Sequence, residues 1–154
     1  MLDNLLARGR YRRLIPQDGV DFSSNDYLGL AGSARIKRAI EDAIERGVPV
    51  GSGGSRLLRG NHAEHEALEA EAAAFFGTEA ALFFSSGFAA NGALFASLPQ
   101  RGDLVVYDEL IHASVHDGIR LGRAQSVAAA HNDANAFDDA IRDWRRNGGI
   151  GLIW

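Results

Sequence analysis

Residues 81–91 read ALFFSSGFAAN: four apolar residues, two serines and a glycine, then small residues that suit a helix. An apolar run of this length, closed by a turn and followed at once by helix-compatible residues, predicts a buried strand leading into a helix. The same punctuation returns at LVVY (104–107), SVAAA (126–130) and IGLIW (150–154), with helices expected to begin near Phe88, Ala113 and Asn135. Strands alternating with helices predict right-handed crossovers, hence an α/β fold with a mostly parallel sheet and helices on both faces. Ligands of such sheets gather at the carboxyl ends of the strands. The turns after Phe84 and Tyr107 are therefore the places to look for chemistry.

Upstream the pattern differs. Residues 1–32 are read as an irregular N-terminal arm, with Pro16, Gly19 and the turn-rich FSSNDYLGLAG. From Ser33, a plausible N-cap, the residues Ile36, Ala39, Ile40, Ala43 and Ile44 recur at helical spacing up to Gly47, with Lys37 on the polar side. A glycine-rich loop, GSGGSRLLRG (51–60), precedes a second helix, for which Asn61 and Glu64 look like a capping pair. Leu68, Ala72, Phe75 and Phe76 are its expected buried face and Gly77 its stop. The division is thus an arm, 1–32, and a main body, 33–154.

Composition narrows the function classes. With 154 residues, 46% hydrophobic and 23% charged, the chain suits one ordinary globular domain. A formal charge of -4 gives no general field for nucleic acid, although Arg8, Arg10, Arg12 and Arg13 make the start locally basic. No stretch approaches the roughly 18 apolar residues of a membrane span, and no cleavable leader is visible. The lack of cysteine excludes disulfides and thiolate chemistry and fits a cytoplasmic location. Among the sixteen Lys and Arg residues only one is lysine, Lys37.

Four segments hold candidate chemistry. In the turn Ser85-Ser86-Gly87-Phe88, backbone N–H groups at a helix start and serine hydroxyls suit a phosphate, whereas a purely structural turn is the plain alternative. His112 follows the next strand, flanked by the small Ala113 and Ser114, so that its ring is free to lie flat against a cofactor ring; the plain alternative is a histidine that caps the helix or bonds Asp108. His116 lies four residues further on but without the glutamate of a zinc-protease motif, and no metal is expected. The loop at 51–60 lacks the Gly-Lys-Ser/Thr ending of a nucleotide loop, which leaves a surface loop or one that covers a substrate or a neighbouring subunit. Arg12 is either a solvated charge or a fork for a substrate carboxylate.

Taken in order, GRYRRL, DFSSNDYLGL, GSGGSRLLRGNHAEHEALE, ALFFSSGFAANGAL and DELIHASVHDGIR resemble the α-oxoamine synthases, from about Arg10 to Trp154. This family depends on pyridoxal 5'-phosphate and condenses an amino acid with an acyl thioester, losing carbon dioxide. The resemblance implies the first part of the large domain of a type I, aminotransferase-like fold. It implies that Ser86, Gly87 and Phe88 hold the cofactor phosphate, and that His112 stacks on the pyridine ring and meets the substrate. Arg12 would contact the acyl carboxylate, Asn25 would lie near the substrate, and Ser55 would line the loop, at a dimer interface. The SGGSRLLRG loop looks most like the biotin-pathway branch, which joins L-alanine to a pimeloyl thioester carried on CoA or on acyl carrier protein, as a homodimer.

The family's chemistry also needs a lysine that forms a Schiff base with the cofactor and an acidic partner for the pyridine nitrogen. Both lie downstream in the family. Lys37 sits on a helix face in the wrong region, and the last expected strand has no covering helix after it. The chain is accordingly read as the N-terminal portion of a longer enzyme and as inactive alone. Two alternatives stay open: a non-catalytic partner subunit, and a relative such as 5-aminolevulinate synthase or glycine C-acetyltransferase.

Overall fold

The computed structural model describes residues 2–16 and 18–154; Met1 and Gln17, both within the expected arm, lie outside it. The chain divides into two compact units, Met1–Asn61 and His62–Trp154.

In the first unit, the stretch read as irregular begins with a short helix, α1 (Leu2–Ala7). Extended and turn residues follow, pinned by two aspartates. Asp21 accepts from the backbone N–H groups of Ser23 (2.8 Å) and Ser24 (3.0 Å), and Asp26 from those of Leu30 (2.7 Å) and Ala31 (3.0 Å). The second pair starts a 3-10 turn at Leu30–Gly32. Helix α2 (Ala34–Glu45) begins at Ser33 as expected, although the Ser33 side chain makes no capping bond. Gly47 ends it with φ 79°, a backbone region that favours glycine. The glycine-rich loop closes in one π-helical turn, Arg56–Gly60, started by the Ser55 hydroxyl, which accepts from the Leu57 N–H at 3.3 Å.

The second unit opens with α3 (Ala63–Phe76). Its cap is not the expected Asn61 with Glu64. His62 accepts from the Glu64 N–H at 3.2 Å, while its own N–H donates to His65 Nδ1 at 3.1 Å. The helix starts one residue later than the pattern indicated, and imidazole nitrogens replace the usual oxygen acceptors. Gly77 ends it in the left-handed conformation, as read. Phe75 and Phe76 are not buried: they stand 83% and 72% exposed. Helical spacing reports that a face is apolar, not what covers it.

The remaining elements are α4 (Gly87–Ser97), β1 (Leu104–Asp108), α5 (Ala113–Leu121), β2 (Gln125–Ala129) and α6 (Ala134–Arg146). Strands β1 and β2 pair in parallel from Leu104 opposite Gln125 to Asp108 opposite Ala129. On the other side of β1, Leu104 bridges Ile153 in parallel, and backbone bonds link Leu104 to Leu152 and Val106 to Trp154. The expected strand at 150–154 is thus reduced to this short pairing. The expected strand at 81–84 is absent, because no backbone ladder among the described residues pairs with it. A strand exists only where its N–H and C=O groups find partners.

Both faces of β1 are covered, as the alternating pattern implied. Leu104, Val106 and Ala129 meet Ala136, Phe137, Ala140, Ile141 and Trp144, the apolar stripe of α6. On the opposite face Val105 is buried, and the Tyr107 ring meets His116 of α5 edge-on at 5.2 Å. Period-two alternation along β1 therefore serves two layers at once. Beneath the strand's start, the buried Asp103 carboxylate accepts from Gln100 N–H (2.8 Å), Leu152 N–H (2.9 Å) and Trp154 Nε1 (3.0 Å). These donors, the Gln100 backbone first, hold its carboxyl below the ordinary 3.8.

Helices α4 and α5 pack closely because glycines let them. A Cβ on Gly118 would stand 2.9 Å from the Phe95 Cβ and 3.0 Å from the Asn91 carbonyl oxygen, and one on Gly122 would stand 2.7 Å from the Phe95 carbonyl oxygen. Gly118→Ala should destabilise the protein by about 1–3 kcal/mol through overpacking, read from denaturant unfolding. The Asp103 contribution has its own sign. A depressed carboxyl stabilises the fold above about 3.8, and that stabilisation is lost as pH falls through the lower folded value. Unfolding measured from neutral pH into acid should show a shallower loss in Asp103→Asn, which starts from a less stable state.

Candidate functional site

The candidate site is built from the starts of α4 and α5 and the carboxyl ends of β1 and β2. Ser86 is the N-cap of α4, its hydroxyl accepting from the Ala89 N–H at 3.1 Å. That bond uses one of the first-turn donors. The N–H groups of Gly87 and Phe88 have no acceptor among the described residues. They point into the positive end of the helix dipole. At Gly87 a Cβ would meet nothing within 4 Å, so the backbone there is open to approach.

His112 stands at the start of α5 and belongs to the same neighbourhood. Its ring lies 6.4 Å from that of Phe88, edge-on at 81°. The imidazole also caps α5: Nδ1 accepts from the Ser114 N–H at 3.2 Å and lies 2.7 Å from the Ser114 hydroxyl. Ser114, fully buried, accepts in turn from Asn91 Nδ2 at 2.9 Å, across from α4. Of the two readings of His112, capping is present, but the bond to Asp108 is not. The small neighbour Ser114 does not merely leave the ring free; it holds one edge of it.

Asp108, at the end of β1, pairs with His131 instead. His131 Nδ1 lies 2.9 Å from one carboxylate oxygen, and the N–H groups of Leu110 (2.8 Å) and Asn132 (2.9 Å) donate to the same side chain. The Asn132 backbone, then His131, then Leu110 lower the Asp108 carboxyl to about 2. Asn132 has φ 55°, a left-handed conformation that asparagine tolerates. The link ties the turn after β2 to the end of β1. The partner of His131 lies 23 residues away, and no local sequence pattern announces it.

Of the expected site residues, Ser86, Gly87, Phe88 and His112 come together here. Arg12, Asn25 and Ser55 lie in the first unit: Arg12 and Asn25 in exposed segments without regular structure, and Ser55 at the start of the π-helical turn. Asn91 and Ser114 were not anticipated as a pair. The only sequence signal for Asn91 was a polar residue inside an otherwise small and apolar helix; α5 is mixed in composition, and nothing local marks Ser114.

The chain matches the family model described as aminotransferase class I and II over residues 17–152. It is 49% identical over 130 residues to the 8-amino-7-oxononanoate synthase of Geobacter sulfurreducens, covering 84% of this chain and 33% of that protein. Among solved structures it is similar to 8-amino-7-oxononanoate synthase from Francisella tularensis, with TM-score 0.67 and 31% identity over 87% of this chain and 36% of that one. It is also similar to a serine palmitoyltransferase variant from S. paucimobilis with PLP and myriocin bound, with TM-score 0.72 and 31% identity over 77% of this chain and 31% of that one. The chain spans about a third of the length of the curated relatives it matches. With a parallel sheet covered on both faces and a family match across nearly its whole length, the chain belongs to the aminotransferase class I and II family.

Proposed function

We propose that the protein carrying this chain is a pyridoxal-phosphate-dependent acyltransferase. Its reaction would be the decarboxylative condensation of L-alanine with a pimeloyl thioester to 8-amino-7-oxononanoate, a step of biotin biosynthesis. One observation carries the reading. A helix start with two unpaired N–H donors, at Gly87 and Phe88, adjoins an exposed imidazole, the Phe88 and His112 rings lying 6.4 Å apart.

The residues fit the group on observations of their own. A phosphate monoester needs several donors and close access to the backbone, and the free N–H groups with the open side of Gly87 supply both. The Ser86 oxygen is committed to the Ala89 N–H, which leaves its hydroxyl proton to donate outward. His112 is held by Nδ1 at one edge and is otherwise exposed, so its face is available to a planar ring. Bound there, the cofactor would supply the electron sink that lets the amino acid lose its carboxylate. The chain's residues would bind its phosphate and orient its ring.

Arg12 would bind the far carboxylate of the acyl chain, where a guanidinium fork matches a carboxylate. Asn25 would lie near the substrate, and Ser55 would hold the loop at a dimer interface. The acyl carrier would be CoA or acyl carrier protein, and the protein would work as a cytoplasmic homodimer. No helix of the described residues is long and apolar enough to cross a membrane. Relatives named 8-amino-7-oxononanoate synthase, up to 50% identical, support this choice of substrates over those of the structurally similar palmitoyltransferase. The covalently binding lysine would lie in the part of the relatives' length that this chain does not span.

The test is turnover of L-alanine and pimeloyl-CoA by the full-length protein, followed as 8-amino-7-oxononanoate and carbon dioxide. His112→Asn should lower kcat/KM by about 10²-fold or more. The isolated 154-residue chain should give none. Preference for serine with a long-chain thioester would replace the reading with a palmitoyltransferase one.

A further inference from the structure

We infer that Ser114 and Asn91 are positioning residues that fix His112 as the neutral tautomer with its proton on Nε2. The inference rests on the reading of His112 given above and deepens it. The donor rules decide the direction of each bond. The backbone N–H of Ser114 can only donate, and it points at His112 Nδ1 from 3.2 Å. Nδ1 therefore carries a lone pair, not a proton. The Ser114 hydroxyl, 2.7 Å from the same nitrogen, must then donate to it as well. Its oxygen is supplied from behind by the amide N–H of Asn91, at 2.9 Å. The chain of donors runs Asn91 Nδ2–H to Ser114 Oγ–H to His112 Nδ1, each bond polarising the next.

Burial makes this arrangement hard to reverse. Ser114 is 0% exposed and Asn91 is half-buried, so water does not compete for the hydroxyl. A proton on Nδ1 would face the Ser114 N–H, which has no other acceptor recorded among the described residues, and would force the hydroxyl to turn away. The proton thus stays on Nε2, the nitrogen that no residue of the described chain engages, where it can donate to a substrate oxygen. Residues two and twenty-one positions from His112 set the donor of a ring they do not share a surface with. The close approach of α4 to α5 at Gly118 is what brings Asn91 within reach.

The experiment is nitrogen NMR of histidine-labelled full-length protein without cofactor, above the ordinary imidazole range of about 6.5. The His112 signals are assigned by their absence from His112→Asn. The expected wild-type spectrum has a pyridine-like Nδ1 and a pyrrole-like Nε2. A pyrrole-like Nδ1, or the mixed tautomers of free histidine, overturns the inference. Asn91→Asp is nearly isosteric but turns the donor into an acceptor, so the Ser114 hydroxyl should swing to it and Nδ1 should move towards the pyrrole-like position. In Asn91→Asp with Ser114→Ala that movement should vanish. An unchanged Asn91→Asp spectrum, or a shift that persists without the hydroxyl, removes the relay. Because the spectra are read without cofactor, absent synthase turnover would leave them standing, and a wrong tautomer would leave the synthase reading standing.

Discussion

The close approach of α4 and α5 at Gly118 is the constraint on which the site depends. Two helices that follow different crossovers bring their N-termini side by side only if their axes come near enough, and side chains at the crossing set that distance. Here the crossing is lined by Gly118 on α5 and Gly122 just past its end, against the backbone and Cβ of α4, so the separation is set by main-chain contact. From that one contact follow the reach of Asn91 to Ser114 and the placing of the Phe88 ring beside His112. The free donors of Gly87 and Phe88 and the edge-held imidazole would otherwise be separate features of two helix starts.

Strand β1 supplies the second frame, and an aspartate sits at each end of it. Asp103 gathers three donors at the amino end, binding the 152–154 segment to the strand. Asp108 gathers donors from both turns at the carboxyl end. Both carboxyls are depressed by hydrogen bonds from backbone and side-chain donors, the backbone first in each case. A carboxylate that accepts several bonds ties segments distant in sequence more specifically than apolar contact does, because each donor must arrive in register. This fits their positions, where loops meet the sheet.

The parts of this organisation that were legible in the sequence are those with local causes. Gly47 and Gly77 stop their helices, α4 starts one residue from the expected Phe88, and the strands at 104–108 and 125–129 emerge from apolar runs. What was not legible depends on partners far away. ALFF at 81–84 has a strand's composition but no ladder among the described residues, and Phe75 and Phe76 mark an apolar face without its cover. The pairs Asp108 with His131 and Asn91 with Ser114 span 23 residues each. Periodicity carries no information about them. The four candidates Ser86, Gly87, Phe88 and His112 come together at the starts of α4 and α5; the sequence singled them out at turns before helices, where ligands of such folds gather, although the strand expected before Ser85 is absent among the described residues.

Histidine is not a preferred helix cap; serine, threonine, aspartate and asparagine all serve better. Yet it caps twice here, at His62 and at His112. Capping by imidazole therefore does not by itself mark a functional residue. The two differ in what surrounds them. His62 shares a reciprocal cap with His65, which satisfies the backbone at both ends of the exchange and completes a structural unit. His112 meets both donors of Ser114, one of them backed by a second helix, and its ring lies edge-on to that of Phe88 at the start of α4. An aspartate at position 112 would cap α5 more strongly but would set a negative charge close to the open N–H donors at the start of α4. Under the proposed function, an imidazole satisfies the cap without opposing the phosphate those donors would hold.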